Sequence, residues 1–147
     1  MSAETQIKLK FSSVDFPVVN FNSDQQFTGE QGININIEPK VYFPKDNPNH
    51  FKIIQEVHVS ADNTFNLFIV AIGNFELSNV EDEKIRHNFV NMNAPAIMFP
   101  YIRSFISTFT SNLGNVTGTL NIPPQFFKGE LPIISDEDII PDENSEE

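Results

Sequence analysis

Apolar and polar residues alternate in Ile7-Lys8-Leu9-Lys10-Phe11-Ser12, the period-two pattern of a strand with one buried face. Extended character continues over 14–21, but Pro17 has no N–H to give a ladder, so an edge, a bulge or a bend is expected there. After a polar stretch at 22–32 the alternation returns in Ile33-Asn34-Ile35-Asn36-Ile37-Glu38. It runs on through Val41-Tyr42-Phe43, with Pro39 again marking an edge or a bulge. The turn formers Pro44-Lys45-Asp46-Asn47-Pro48-Asn49 then predict a hairpin into a third strand at 51–59. There Phe51, Ile53, Val57 and Val59 share one face, and Lys52, Glu56 and His58 the other. Ala61-Asp62-Asn63-Thr64 supplies a tight turn into a fourth strand at 65–77.

The fourth strand breaks the alternation. Phe65, Leu67, Ile69, Ala71 and Phe75 fall on one face, yet Phe68, Val70 and Ile72 fall on the other. A sheet backed by one helix layer needs a single apolar face. The second must therefore be covered by a partner subunit or a neighbouring loop, or be used for binding.

Past residue 79 the spacing becomes helical, with a short helix predicted over 80–89 and a longer one over 94–113. In the longer one Ile97, Tyr101, Phe105 and Phe109 recur every four residues, and Met98, Ile102, Ile106 and Leu113 widen the stripe. Asn93 is placed to cap its start, Pro95 fits a first turn, and Gly114 fits a C-terminal stop. Pro100 lies deeper and removes the hydrogen bond to the Ala96 carbonyl, at about 3 kcal/mol unless the helix bends, so a kink is expected. Beyond the helix, Leu120-Asn121-Ile122-Pro123-Pro124 reads as extended or turn-like, and Pro132 leaves room for a turn of helix at most over 125–129.

Composition agrees with a β-rich α+β fold, because fifteen Phe accompany many Ile and few Leu. With 147 residues the chain suits one domain, placed at 1–131, followed by an acidic tail at 132–147 expected to be disordered. Much of the net charge of −11 sits in that tail: Asp136, Glu137, Asp138, Asp142, Glu143, Glu146 and Glu147, with no Lys or Arg among them. This balance excludes nucleic acid as a partner, whose phosphates reward clustered cations. No apolar run is long enough for membrane insertion, the first residues lack the apolar core of a secretory signal, and Cys is absent, so a cytoplasmic location is expected.

Catalytic patterns are missing. There is no phosphate-cradling Gly-rich loop, no nucleophile elbow and no His-Glu metal pair at helical spacing, so neither a cofactor nor an enzyme activity is expected. His50, His58 and His87 are scattered, and His58 is explained as a solvated residue on a polar strand face. Glu81, Asp82 and Glu83 stand where acids meet a helix dipole, which accounts for them without a bound cation.

The stretch Ala94-Pro95-Ala96-Ile97-Met98-Phe99-Pro100-Tyr101-Ile102-Arg103, followed by an amphipathic run and Leu120-Asn121-Ile122-Pro123-Pro124-Gln125-Phe126, resembles the SecB protein-export chaperones. Phe99, Pro100, Tyr101 and Arg103 match that family's helical core, and Leu120, Ile122, Pro124 and Phe126 match the segment after it. The likeness covers roughly residues 7–128. It implies a four-stranded antiparallel sheet with the long, Pro-kinked helix packed on one face, and a homo-oligomer, dimer or tetramer. It further implies a holdase that binds unfolded polypeptides, chiefly precursors for export, and passes them to the SecA translocase.

By this resemblance Phe68, Phe75, Phe99 and Phe126 are candidate client-groove residues, and Asp15 is a candidate contact for SecA. The family's second C-terminal helix is usually long, whereas here Gly129 and Pro132 lead into the acidic tail, and Ile69 stands where the family's last strand offers an acid. These departures favour an alternative, a SecB-like protein dedicated to one partner, such as a chaperone associated with a toxin–antitoxin pair.

Overall fold

The computed structural model describes residues 8–47, 49–78, 82–127 and 129–138. Four strands form one antiparallel sheet: β1 (Lys8–Ser23), β2 (Ile33–Tyr42), β3 (His50–Ala61) and β4 (Phe65–Ser78), in the order β1-β4-β3-β2. The proline-bearing strands β1 and β2 are therefore the two outer strands, where a missing N–H does least harm. Pro17 falls where the β1–β4 register slips between Asp15 and Val18, the expected bulge.

Strands β2, β3 and β4 follow one another as hairpins. The second hairpin closes through Thr64 N–H donating to Ala61 O at 3.0 Å, with Asn63 at φ 59°. The link from β1 to β2 instead has to span the sheet from edge to edge. On the way Phe27 N–H donates to Val116 O at 2.9 Å, and the Phe27 ring meets Phe65 edge-on at 5.6 Å.

Among the described residues helical structure begins at Glu83, inside the short helix expected over 80–89. α1 (Glu83–Asn88) is capped by Asp82, whose Oδ1 accepts from Lys84 N at 2.8 Å. It passes through a π turn (Phe89–Asn93) into α2 (Ala94–Ser111), so the two expected helices are one run. Asn93 is accordingly helical and makes no side-chain cap. The cause is Pro95, which cannot donate to the carbonyl of Asn91; the wider turn, with Ala94 N–H donating to Phe89 O, absorbs that loss.

α2 continues through Pro100, which is exposed, as is Ala96, so the carbonyl that Pro100 leaves unpaired lies on the solvent side. Its buried stripe is centred on Met98, Ile102 and Ile106, all fully buried against the sheet. Phe105 and Phe109 form the flank that meets β1, with Phe16 stacked on Phe105 at 4.2 Å and Phe21 edge-on to Phe109 at 6.0 Å. Ile97 and Tyr101, expected in the stripe, are instead 40% and 52% exposed.

The opposite sheet face carries a second, smaller cluster of Ile54, Val70 and Ile72, with Val18, Tyr42, Phe68 and Ile134 packed around it. Part of the cover is thus the chain's own C-terminal segment. Here the expected disordered tail needs correction for residues 132–138: Ile133 bridges Val41 in parallel, and the Tyr42 hydroxyl donates to Asp136 Oδ1 at 2.6 Å. Ile134 finds an apolar surface to pack against, which the acids after it do not. Residues 139–147 lie outside the described residues.

Candidate functional site

The segment after α2 is held to the helix by a row of side-chain bonds. Arg103 Nε donates to Ile122 O at 2.7 Å, Ser107 Oγ to Leu120 O at 3.0 Å, and Leu120 N–H to Thr110 Oγ1 at 3.0 Å. Leu120 and Ile122 are buried. Pro123 and Pro124 then carry the chain outward. Phe127 turns back to meet Phe99 edge-on at 5.8 Å, while Phe126 is left 96% exposed.

Where this segment passes the outer strand β2, it leaves a groove. A cavity of about 240 Å³ is lined by Ile37, Pro39, Gln125, Phe126, Phe127 and Leu131. Two aromatic rings and three aliphatic residues offer apolar contact without charge, which suits an extended peptide of loose sequence preference. Leu131 is fixed there by its N–H, which donates to Asn91 Oδ1 at 2.7 Å, and Asn91 Nδ2 in turn donates to His87 O at 2.9 Å.

The residues expected to line a client groove are dispersed. Phe75 and Phe99 are buried in the main core, Phe75 stacked on Phe51 at 5.3 Å. Phe68 lies on the opposite sheet face against His58, with ring centroids 4.6 Å apart. Only Phe126 reaches the groove. Ile37, Pro39, Gln125, Phe127 and Leu131 are its other walls, and strand alternation could have flagged Ile37 but not its neighbour across the edge.

Asp15 is exposed on β1, and its Oδ2 accepts from Asn74 Nδ2 at 3.1 Å; Asn74 Oδ1 accepts from Lys52 Nζ at 3.0 Å. The carboxylate therefore stands at one end of a polar row across the outer face of the sheet. His50 lies 3.7 Å from Glu76 and His87 3.6 Å from Glu130, each pair at the surface. Among the described residues no three His, Cys, Asp or Glu side chains converge to hold a metal ion. Among them, too, no helix is long and apolar enough to cross a membrane.

Comparison with known proteins adds the family. The uncharacterized protein MJ0357 of Methanocaldococcus jannaschii is 30% identical over 131 residues, covering 84% of this chain and 79% of its own. The SecB-like chaperone Rv1957 of Mycobacterium tuberculosis, solved in complex with a ChAD peptide from the Rv1956 HigA1 antitoxin, shares the fold. Its TM-score is 0.63 at 14% identity, over 80% of this chain and 87% of that one. The sequence profile of SecB, the preprotein translocase subunit, matches residues 3–124, so the chain belongs to the SecB family.

Proposed function

We propose that the chain is a molecular chaperone, a holdase that binds non-native polypeptides along the β2-side groove and catalyses no reaction. The observation that carries this reading is Phe126, a nearly fully exposed aromatic at the groove beside β2, on a chain of the SecB family. Its ring offers a large apolar contact area at the groove to an extended client. Export precursors are the proposed clients and SecA the proposed recipient, with exposed Asp15 as a contact for it. Cytoplasmic location goes with that role.

Self-association is part of the proposal. The outer edge of the 16-residue strand β1 and the exposed Met92, Ile97 and Tyr101 offer backbone and apolar surface to a second copy. The test of the whole reading is suppression of aggregation for several unrelated refolding clients at near-stoichiometric ratios, with solution mass measured alongside. Absence of suppression with every client would remove it.

A second reading is favoured by one observation, the fold shared with a chaperone bound to an antitoxin peptide. On that reading the groove serves a single dedicated partner. Gentle purification followed by identification of bound chains separates the two: one dominant protein supports the dedicated partner, and a broad spectrum supports the general holdase.

A further inference from the structure

The edge of β2 is already occupied, by the chain itself. Val41 N–H donates to Pro132 O at 2.9 Å and Ile134 N–H donates to Val41 O at 3.0 Å, the two bonds of a parallel strand addition. Pro132 gives only its carbonyl, so its missing N–H costs this pairing nothing. Around the bridge the segment straddles the sheet edge. Leu131 is buried on the groove side, Ile134 joins the cluster on the opposite face, and Ile133 between them is 71% exposed.

This strap is short and lightly held. Besides the packing of Leu131 and Ile134, its other side-chain bonds among the described residues are Asn91 Oδ1 on the Leu131 amide and Tyr42 on Asp136. The surface it uses extends further than it does. Backbone direction alternates with period two, so Ile37, Ile35 and Ile33 present their N–H and C=O groups to the same side as Val41, beside the groove walls Ile37 and Pro39.

We infer that residues 131–134 are an internal stand-in for client, filling a strand-addition site on the β2 edge that an extended, branched-aliphatic polypeptide segment takes over by displacing them. Main-chain bonds to the edge give such binding its strength whatever the client sequence, and the flanking apolar walls select aliphatic side chains. The strap lowers apparent affinity by the fraction of time it is closed and keeps the edge from pairing with other chains in the absence of client. This rests on the reading of the protein as a polypeptide binder and specifies where and how the chain is held.

The chain contains no Cys, so the double variant Val41→Cys/Ile133→Cys places one disulfide across the bridge and locks the strap. The opposite variant, Asn91→Ala/Tyr42→Phe, loosens it. Two probes are used with the full chain: a fluorescein-labelled peptide with the sequence of residues 129–135, and reduced, carboxymethylated α-lactalbumin. Locking is expected to weaken binding of both by about tenfold or more, with recovery on adding dithiothreitol, and loosening to strengthen peptide binding. Unchanged affinity in the oxidised lock, or in the loosened variant, while the unmodified chain holds α-lactalbumin, overturns the strap mechanism alone. Failure of the unmodified chain to hold α-lactalbumin overturns both the mechanism and the polypeptide-binding reading.

Discussion

Gly73 and Met98 meet with no room between them: a Cβ on Gly73 would stand 2.8 Å from Met98 Sδ and 2.9 Å from Cε2 of the Phe75 ring. Gly73 lies in β4, a central strand, where glycine ordinarily weakens a sheet. Here it lets α2 approach the sheet at the point where Met98 is fully buried. Gly73→Ala is therefore expected to destabilise the protein by roughly 1–3 kcal/mol through overpacking. Urea unfolding measures it. A midpoint equal to or above that of the parent would show that Met98 and Phe75 yield freely.

The two phenylalanines at the ends of the 99–126 span separate folding from binding. Phe99 is 2% exposed and packs on Phe127, so Phe99→Ala is expected to cost about 3–5 kcal/mol. Phe126→Ala should change stability by no more than about 0.5 kcal/mol and still reduce client capture. Paired unfolding and aggregation-suppression assays check both. Full client capture by the Phe126 variant would place the client elsewhere.

Strand alternation made most of the sheet legible, because a period of two has one consequence wherever one face is buried. The paired faces of β4 also announced that something covers Val70 and Ile72. What alternation could not show was the cover. Ile134 sits in a segment whose composition is dominated by the acids after it, and its partners Tyr42 and Ile54 are about 80 or more residues away in sequence. For the same reason Phe75 and Phe99 looked like groove residues: both are large and apolar, and only the packing of Phe51 and Phe127 against them shows that they are core. Asn91 gave no signal at all, since an amide in an amphipathic helix reads as a solvent-facing residue until its partner at Leu131 is known.

Tyr42 gives the strap a pH dependence. Its hydroxyl has a pKa raised above the ordinary tyrosine value, first by the hydrogen bond to Asp136, then by burial and by the negative charges of Asp136 and Asp46. A raised folded-state pKa means that the contact contributes fully below the ordinary tyrosine value and is lost as pH rises through the raised one. Tyrosinate absorbance should therefore show Tyr42 titrating late, and Asp136→Ala should bring that transition to lower pH. Identical titrations in the two proteins would mean that the Tyr42–Asp136 bond does not persist in solution.

Pro100 is the residue most at odds with its surroundings, an interior helix position with a ring in place of a donor. A buried helix would lose about 3 kcal/mol there, but Pro100 and Ala96 both face solvent, so water can bond the Ala96 carbonyl. Most of what remains is the strain of the ring against the preceding turn, which bending relieves. Pro100→Ala should restore the missing bond and raise the urea midpoint. If Pro100 also sets how Ile97 and Tyr101 would meet a second copy, the same variant should lower the solution mass at equal concentration. Unchanged stability together with unchanged mass would show that the proline is incidental to both helix and assembly.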